Sequence, residues 1–111
     1  MPAADVNKNP AELIAHLEGV LSAEPGSERF WELADAYTRA GRFPEATEVC
    51  RRGLALHANS ARGFLALGRA LFGIGRLNAA AGSLRRAIDL EPDTPEGYRL
   101  LGELLLRRGI H

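Results

Sequence analysis

Residues 64–92, FLALGRALFGIGRLNAAAGSLRRAIDLEP, predict two helices joined by a turn. In the first half, apolar and small residues share one helix face: Phe64, Leu67, Gly68 and Leu71. In the second half, a similar face is formed by Ala80, Leu84, Ala87 and Ile88. Gly75 lies between the halves, where a helix commonly ends with a residue in the left-handed conformation. The stretch therefore predicts a helical hairpin whose helices approach closely through small residues.

The hairpin pattern recurs every 34 residues from Ser27 to the C-terminus without an insertion. The positions that keep this interval are Phe30, Phe64 and Tyr98; Leu33, Leu67 and Leu101; Ala34, Gly68 and Gly102; Tyr37, Leu71 and Leu105; and Gly41, Gly75 and Gly109. A fixed period of this length indicates a repeat protein, in which stacked neighbours bury one another's apolar faces. With capping residues at Asn9 and Thr94, we expect an all-α chain of six helices, at about 10–23, 28–40, 44–57, 62–74, 78–90 and 96–108.

This pattern resembles the tetratricopeptide repeat family, whose unit has the same length and the same order of aromatic, small and glycine positions. The second unit carries the resemblance best, at Phe64, Leu67, Gly68, Leu71, Gly75, Ala80, Ala87 and Pro92. The first unit departs at Gly53, where alanine is usual, and at Ala58, where proline is usual. An exposed glycine inside a helix would cost roughly 1 kcal/mol. The resemblance implies a right-handed α-solenoid of stacked hairpins with a concave binding face.

The repeat period also divides the chain. We expect a flexible tail at 1–9, a capping helix resembling half a repeat at 10–26, and full repeats at 27–60 and 61–94. Residues 95–111 would form the first helix of a third repeat, which is truncated or unpaired. Its face at Tyr98, Leu101 and Leu105 then needs a cover. We expect either that the chain is a fragment of a longer repeat protein or that this face mediates self-association.

The composition favours some classes of protein over others. Basic and acidic residues balance at 14 each, which argues against a general nucleic-acid binder. The sequence lacks a run of ~18 apolar residues, so we expect no membrane insertion and a cytoplasmic location. Cys50, the single cysteine, falls on a core-facing stripe and predicts a buried structural thiol. We expect neither enzyme activity, nor a cofactor, nor a metal, because titratable residues do not converge in the pattern.

Binding is expected on the concave face, which the first helix of each unit lines. Helical spacing places ten residues there: Trp31, Asp35, Thr38, Arg62, Leu65, Arg69, Phe72, Arg99, Glu103 and Leu106. Trp31, Leu65 and Phe72 are apolar although they lie off the core stripe, which is typical of a partner site. Packing of Trp31 under the first helix and of Phe72 against a neighbouring repeat is the alternative. The arginines would pair with a ligand's acids or with Asp35 and Glu103 beside them.

The sequence therefore favours a protein-interaction module, an adaptor or scaffold that binds a peptide or helix of a partner, from a bacterial protein by family analogy. Some family members hold the acidic tail of heat-shock chaperones with lysine and asparagine on the first helix of the first unit. Trp31 and Asp35 occupy the matching places, so we expect no binding of such a tail. The alternatives are a module that dimerises through its last helix and the regulatory N-terminal segment of a larger protein.

Overall fold

A computed structural model describes residues 9–109, and within this range the chain forms six α-helices. They are α1 (Pro10–Ala23), α2 (Phe30–Arg39), α3 (Phe43–Leu56), α4 (Ala61–Ile74), α5 (Leu77–Leu90) and α6 (Pro95–Arg107). The predicted all-α fold and helix order are confirmed, and each helix begins and ends within two residues of its prediction. The predicted tail at 1–9 lies, apart from Asn9, outside the described residues.

Local signals fix where the helices begin and end. The Asn9 side chain accepts hydrogen bonds from the backbone N–H of Ala11 and Glu12, and Thr94 Oγ1 accepts one from Gly97. These side chains satisfy N–H groups that the first turn of a helix leaves without a partner. The repeat glycines all have a positive φ, at 77° for Gly41, 91° for Gly75 and 74° for Gly109, which confirms the predicted left-handed helix ends.

The helices stack in two layers. The inner layer contains α2, α4 and α6, which pack against one another in that order. The outer layer contains α1, α3 and α5; within residues 9–109 these three helices do not pack against one another, and each contacts only the inner helices beside it. The result is an elongated body of 51 × 26 × 25 Å. This is the arrangement of a helical solenoid, and it leaves the inner helices to line one continuous face.

The core follows the predicted stripe, with one difference between units. Phe30, Leu33, Ala34 and Tyr37 are all buried in α2. Phe30 is only 2% exposed, whereas its counterpart Phe64 is partly buried and lies beneath the Arg86 guanidinium. The difference arises at residue 53, because Gly53 is buried and its backbone lies against the Phe30 ring. Glycine in place of alanine at residue 53 therefore makes room for the Phe30 ring, and Gly53 is not an exposed glycine within α3.

The face of α6 that turns away from the stack is open. Gly97, Leu100 and Leu104 of α6 are buried against the preceding helices. Tyr98, on the opposite stripe, is 53% exposed, while Leu101 and Leu105 are partly buried. This stripe corresponds to the one that α3 covers on α2 and that α5 covers on α4. The described residues thus leave an apolar helix face accessible to solvent.

Candidate functional site

The inner helices form a concave groove that contains two hollows. The first, of about 300 Å³, lies between α2, α4 and the start of α6. It is lined by Trp31, Asp35, Arg62, Leu65, Arg69, Glu91, Asp93, Thr94, Pro95 and Glu96. The second, of about 290 Å³, lies towards the other end of the same helices. It is lined by Thr38, Phe43, Arg69, Phe72, Gly73, Leu100, Glu103 and Arg107.

Arg69 separates the two hollows, and it lines both. Its Nη1 donates to the two carboxylate oxygens of Asp35, at 2.8 Å and 2.9 Å, and its Nη2 pairs with Glu96. Arg69 comes from α4, Asp35 from α2 and Glu96 from α6. Of the two roles that the sequence allowed Arg69, the structure shows the pairing with Asp35. The ion pairs therefore join three inner helices across the floor of the groove.

Burial governs the ionisation of this pair. It raises the pKa of Asp35 above its ordinary 3.8, while the Arg69 charge opposes that rise. The side chains of Arg69 and Asp35 are 22% and 15% exposed, so solvent screens their attraction only in part. Burial favours the neutral form of Arg69, but the Asp35 and Glu96 charges outweigh it and raise its pKa. The pair is thus a semi-buried internal contact whose arginine is already fully engaged.

Aromatic side chains provide the apolar surface of each hollow. Trp31 is partly buried in the first, with the Arg62 guanidinium 4.9 Å from its ring centroid. Phe72 is partly buried in the second, with the Arg107 guanidinium at 5.0 Å. Both rings also pack against the neighbouring core. Each ring therefore has a structural contact on one side and an accessible surface in the groove on the other.

Eight of the ten predicted groove residues line these hollows: Trp31, Asp35, Thr38, Arg62, Leu65, Arg69, Phe72 and Glu103. Glu103 lies in the second hollow, where its Oε1 is 3.4 Å from Arg99 Nη1. Arg99 itself lies outside both linings and also approaches Glu96, at 3.8 Å. Leu106 is 79% exposed and lies outside them as well. The set of predicted residues that line the groove is thus smaller than expected, and it lies around α4.

Other lining residues were not predicted. Phe43 lies in the second hollow with its ring against Gly73, and Glu91 and Asp93 reach the first hollow from the loop between α5 and α6. The 34-residue interval between Phe43 and Leu77, both at the start of an outer helix, was an available signal for Phe43. The two acids carried no such signal, because helical periodicity does not place loop side chains.

Two further observations concern chemistry at the site. Thr38 Oγ1 is a buried hydroxyl without a hydrogen-bond partner among the described residues, at the edge of the second hollow. Within residues 9–109, the His, Cys, Asp and Glu side chains form no group of three that could hold a metal ion. No helix in that range has the length and hydropathy needed to cross a membrane. The groove thus offers shape, apolar surface and fixed charges.

The fold defines a helical repeat protein, and sequence comparison identifies the family. Models described as tetratricopeptide repeat match residues 31–70 and 65–111. The chain therefore belongs to the tetratricopeptide repeat family, as the sequence pattern predicted. No curated protein matches the sequence.

Solved structures share the fold. The first tetratricopeptide domain of the human RPAP3 protein is similar with a TM-score of 0.85 and 24% identity, over 90% of this chain and 80% of that one. The first such domain of Spaghetti (RPAP3), bound to the HSP90 peptide SRMEEVD, gives 0.84 and 24%, over 91% and 81%. MamA gives 0.82 and 27%, over 98% of this chain and 66% of that one.

Proposed function

We propose that this chain is a protein-interaction module that binds a segment of a partner protein in its concave groove. One observation carries the proposal: Trp31, Leu65 and Phe72 present apolar surface in a groove that the side chains of residues 9–109 do not fill. Accessible aromatic surface in a concavity is where binding energy concentrates in protein interfaces. The similarly folded domain of Spaghetti is bound to a peptide, which supports the same class of activity here.

A groove with two separate hollows suits a helix or an extended segment. The hollows lie on either side of Arg69, so each could accept one apolar side chain of the bound segment. An amphipathic helix presents apolar side chains at such intervals to a groove. Binding of an acidic chaperone tail remains excluded in our proposal. Asp35 stands where that interaction would need a neutral or basic group, and Arg69 is already paired with it.

Affinity capture from the cells that express the chain tests this function. We expect the wild-type protein to retain a specific partner that Leu65→Glu and Phe72→Glu lose, because each places a carboxylate on the apolar part of a hollow. Leu56→Glu is the matched control, since Leu56 is 62% exposed on α3, away from the groove. Circular dichroism must show that all three variants are folded. A partner list that folded groove variants leave unchanged would disprove the proposal.

A second candidate function is self-association through α6. It is favoured by the exposure of Tyr98 beside Leu101 and Leu105 on a helix face that lacks a cover in the described structure. Sedimentation at increasing concentration would show a dimer that Leu105→Asp or Tyr98→Glu converts to a monomer. A monomer at all concentrations would remove this candidate.

We also propose that the chain is divided into a half repeat at 10–26, full repeats at 27–60 and 61–94, and a partial repeat at 95–111.

The cellular setting is proposed from the sequence. A single cysteine and the family pattern favour a cytoplasmic protein of a bacterium, acting as an adaptor or scaffold, or as the regulatory segment of a larger protein. Fractionation of cells with an antibody against the chain would test the location.

A further inference from the structure

We propose that the first hollow selects a basic side chain that lies next to an apolar one in the partner segment. This inference rests on the proposed function and specifies the chemistry of its ligand. It depends on the distribution of charge around the apolar floor formed by Trp31 and Leu65, and on which of those charges the chain already neutralises.

The lining of the hollow has an excess of acid. It contains four carboxylates, Asp35, Glu91, Asp93 and Glu96, and two guanidiniums, Arg62 and Arg69. The formal charge of the lining is therefore −2. The net charge of the whole chain is +0, so the excess is a local property. A concave site lined with one sign of charge attracts a ligand group of the other sign.

The arrangement of ion pairs shows which acids are available. Asp35 and Glu96 are both engaged by Arg69. Glu91 and Asp93 form no ion pair with any described residue, and both side chains are exposed at the rim. Two carboxylates thus border an apolar floor without an ion pair to any cation in residues 9–109. A ligand cation at this rim would gain two partners without breaking a contact inside the chain.

The arginines offer little to a ligand anion. Arg69 is committed on both terminal nitrogens, so a ligand carboxylate would have to displace Asp35 or Glu96. Arg62 is held over the Trp31 ring at 4.9 Å, an interaction that engages its charge in part. An approaching anion would also meet Glu91 and Asp93 at the rim. The same geometry therefore disfavours an acidic ligand.

The floor determines the neighbouring residue of the ligand. Trp31 and Leu65 present apolar surface next to the acidic rim, so a ligand segment gains most by placing an apolar side chain on the floor and a basic one at the rim. The second hollow differs, since Arg69 and Arg107 line it with Glu103 around Phe43, Phe72 and Leu100. Its formal charge of +1 would direct the basic part of the segment to the first hollow.

Trp31 makes the test direct, because it is the only tryptophan in the chain and lies in this hollow. Its fluorescence would be titrated with three synthetic amphipathic peptides of about 15 residues, a length that can form a helix. Each carries leucines at helical spacing, and the flanking positions hold arginine, glutamine or glutamate. We expect the arginine peptide to bind roughly threefold to tenfold more tightly than the glutamine peptide, and the glutamate peptide to bind weakest, since rim charges contribute modestly.

Charge-removal variants show whether the rim causes the preference. Glu91→Gln with Asp93→Asn should bring the arginine peptide to the affinity of the glutamine peptide and leave the latter unchanged. Glu12→Gln with Glu24→Gln is the matched control, since both residues are exposed on or next to α1 in the outer layer. This control should keep the preference for arginine. The preference should also decrease as salt concentration rises.

The two proposals fail in different ways. The charge inference is overturned if the arginine peptide has no advantage, if its advantage survives the loss of both rim acids, or if no peptide binds. The proposed function fails if peptide binding, or partner capture, is the same in wild type and in folded Leu65→Glu. An arginine preference that disappears with the rim acids, together with binding that disappears in Leu65→Glu, supports both.

Discussion

The Phe30 ring lies directly on the backbone of Gly53, and a Cβ atom added at residue 53 would come within 2.1 Å of two ring carbons. The same ring borders Gly63 on α4 and stacks on His57, with 6.0 Å between ring centroids. The His57 Nε2 in turn lies 2.7 Å from the Gly26 carbonyl oxygen. One missing methyl group thus allows an aromatic side chain of α2 to reach between α3 and α4 and to connect both with the loop after α1.

Gly53→Ala should therefore destabilise the fold. A gain of about 1 kcal/mol in helix propensity is expected, but overpacking against the ring costs roughly 1–3 kcal/mol, and the ring carbons concerned are too near Cβ of Phe30 to move freely. Gly82→Ala is the matched control, because space around Gly82 in α5 is open and this change should stabilise. Urea unfolding would measure both. A Gly53→Ala chain that is more stable than wild type would contradict this account.

Tyr37→Phe should loosen the attachment of α1. The Tyr37 hydroxyl donates to Glu18 Oε2 at 2.5 Å, joining α2 to α1, and burial raises the Tyr37 pKa to about 12. Loss of a hydrogen bond to a charged group with a partly solvated partner costs roughly 1 kcal/mol. Amide hydrogen exchange should accelerate chiefly in α1. Tyr98→Phe, which removes an exposed hydroxyl, should leave exchange in α1 unchanged; equal acceleration in both variants would refute the assignment.

Cys50 should be unreactive in the folded chain. Its side chain is fully buried, and burial, followed by the nearby Asp35 charge, raises its pKa from 9.0 to about 12. The thiolate is the reactive form, so labelling with a thiol-specific disulfide reagent at about pH 8 requires local or global opening. We expect slow labelling in buffer and rapid labelling in concentrated guanidinium chloride. Rapid labelling of the folded chain would show that the thiol is accessible.

Arg69→Met should destabilise the fold in a pH-dependent way. The folded pKa of Asp35 already lies above its ordinary 3.8, and loss of Arg69 removes the main charge that lowers it. Between the ordinary and the folded pKa the folded state binds more protons, so stability falls as pH rises through that window. The deficit should be roughly 1–2 kcal/mol near pH 7 and should decrease on acidification towards about pH 4.

The pH dependence has its own control. In Asp35→Asn with Arg69→Met, the carboxylate that titrates is absent, so the deficit relative to wild type should no longer decrease on acidification. Urea unfolding at the two pH values measures it. If the single and the double variant show the same pH profile, Asp35 is not the titrating group.

The sequence predicted the helices well because a 34-residue interval constrains every helix from α2 onward, and the capping residue Asn9 marks the start of α1. The repeat glycines at 41, 75 and 109 placed the inner helix ends, and Cys50 was correctly placed in the core. Only α2 begins two residues late, at Phe30, because Ser27 Oγ accepts the Arg29 N–H in the turn before it.

The parts that were not predicted depend on contacts between units. Gly53, which replaces the usual alanine, lies in α3, whereas the deeply buried Phe30 lies in α2. A single sequence does not show that the small residue on one helix makes room for the ring on the other. Glu91 and Asp93 reach the groove through the path of a loop, which has no period. Helical spacing assigned Arg69 to the groove. Whether its guanidinium pairs with Asp35 or is left for a ligand depends on the distance between α2 and α4, which only the structure shows.

The contact of Arg69 with acids from both neighbouring inner helices has a mechanical consequence. A solenoid changes shape through small rotations between successive units, which add up along its axis. Because Asp35 and Glu96 approach Arg69 from opposite sides, such a rotation must stretch one ion pair or the other. We therefore expect the two ion pairs of Arg69 to oppose bending of the solenoid. Added salt weakens partly exposed ion pairs. The solenoid should therefore bend more easily at high ionic strength, and the curvature of the groove should then vary more.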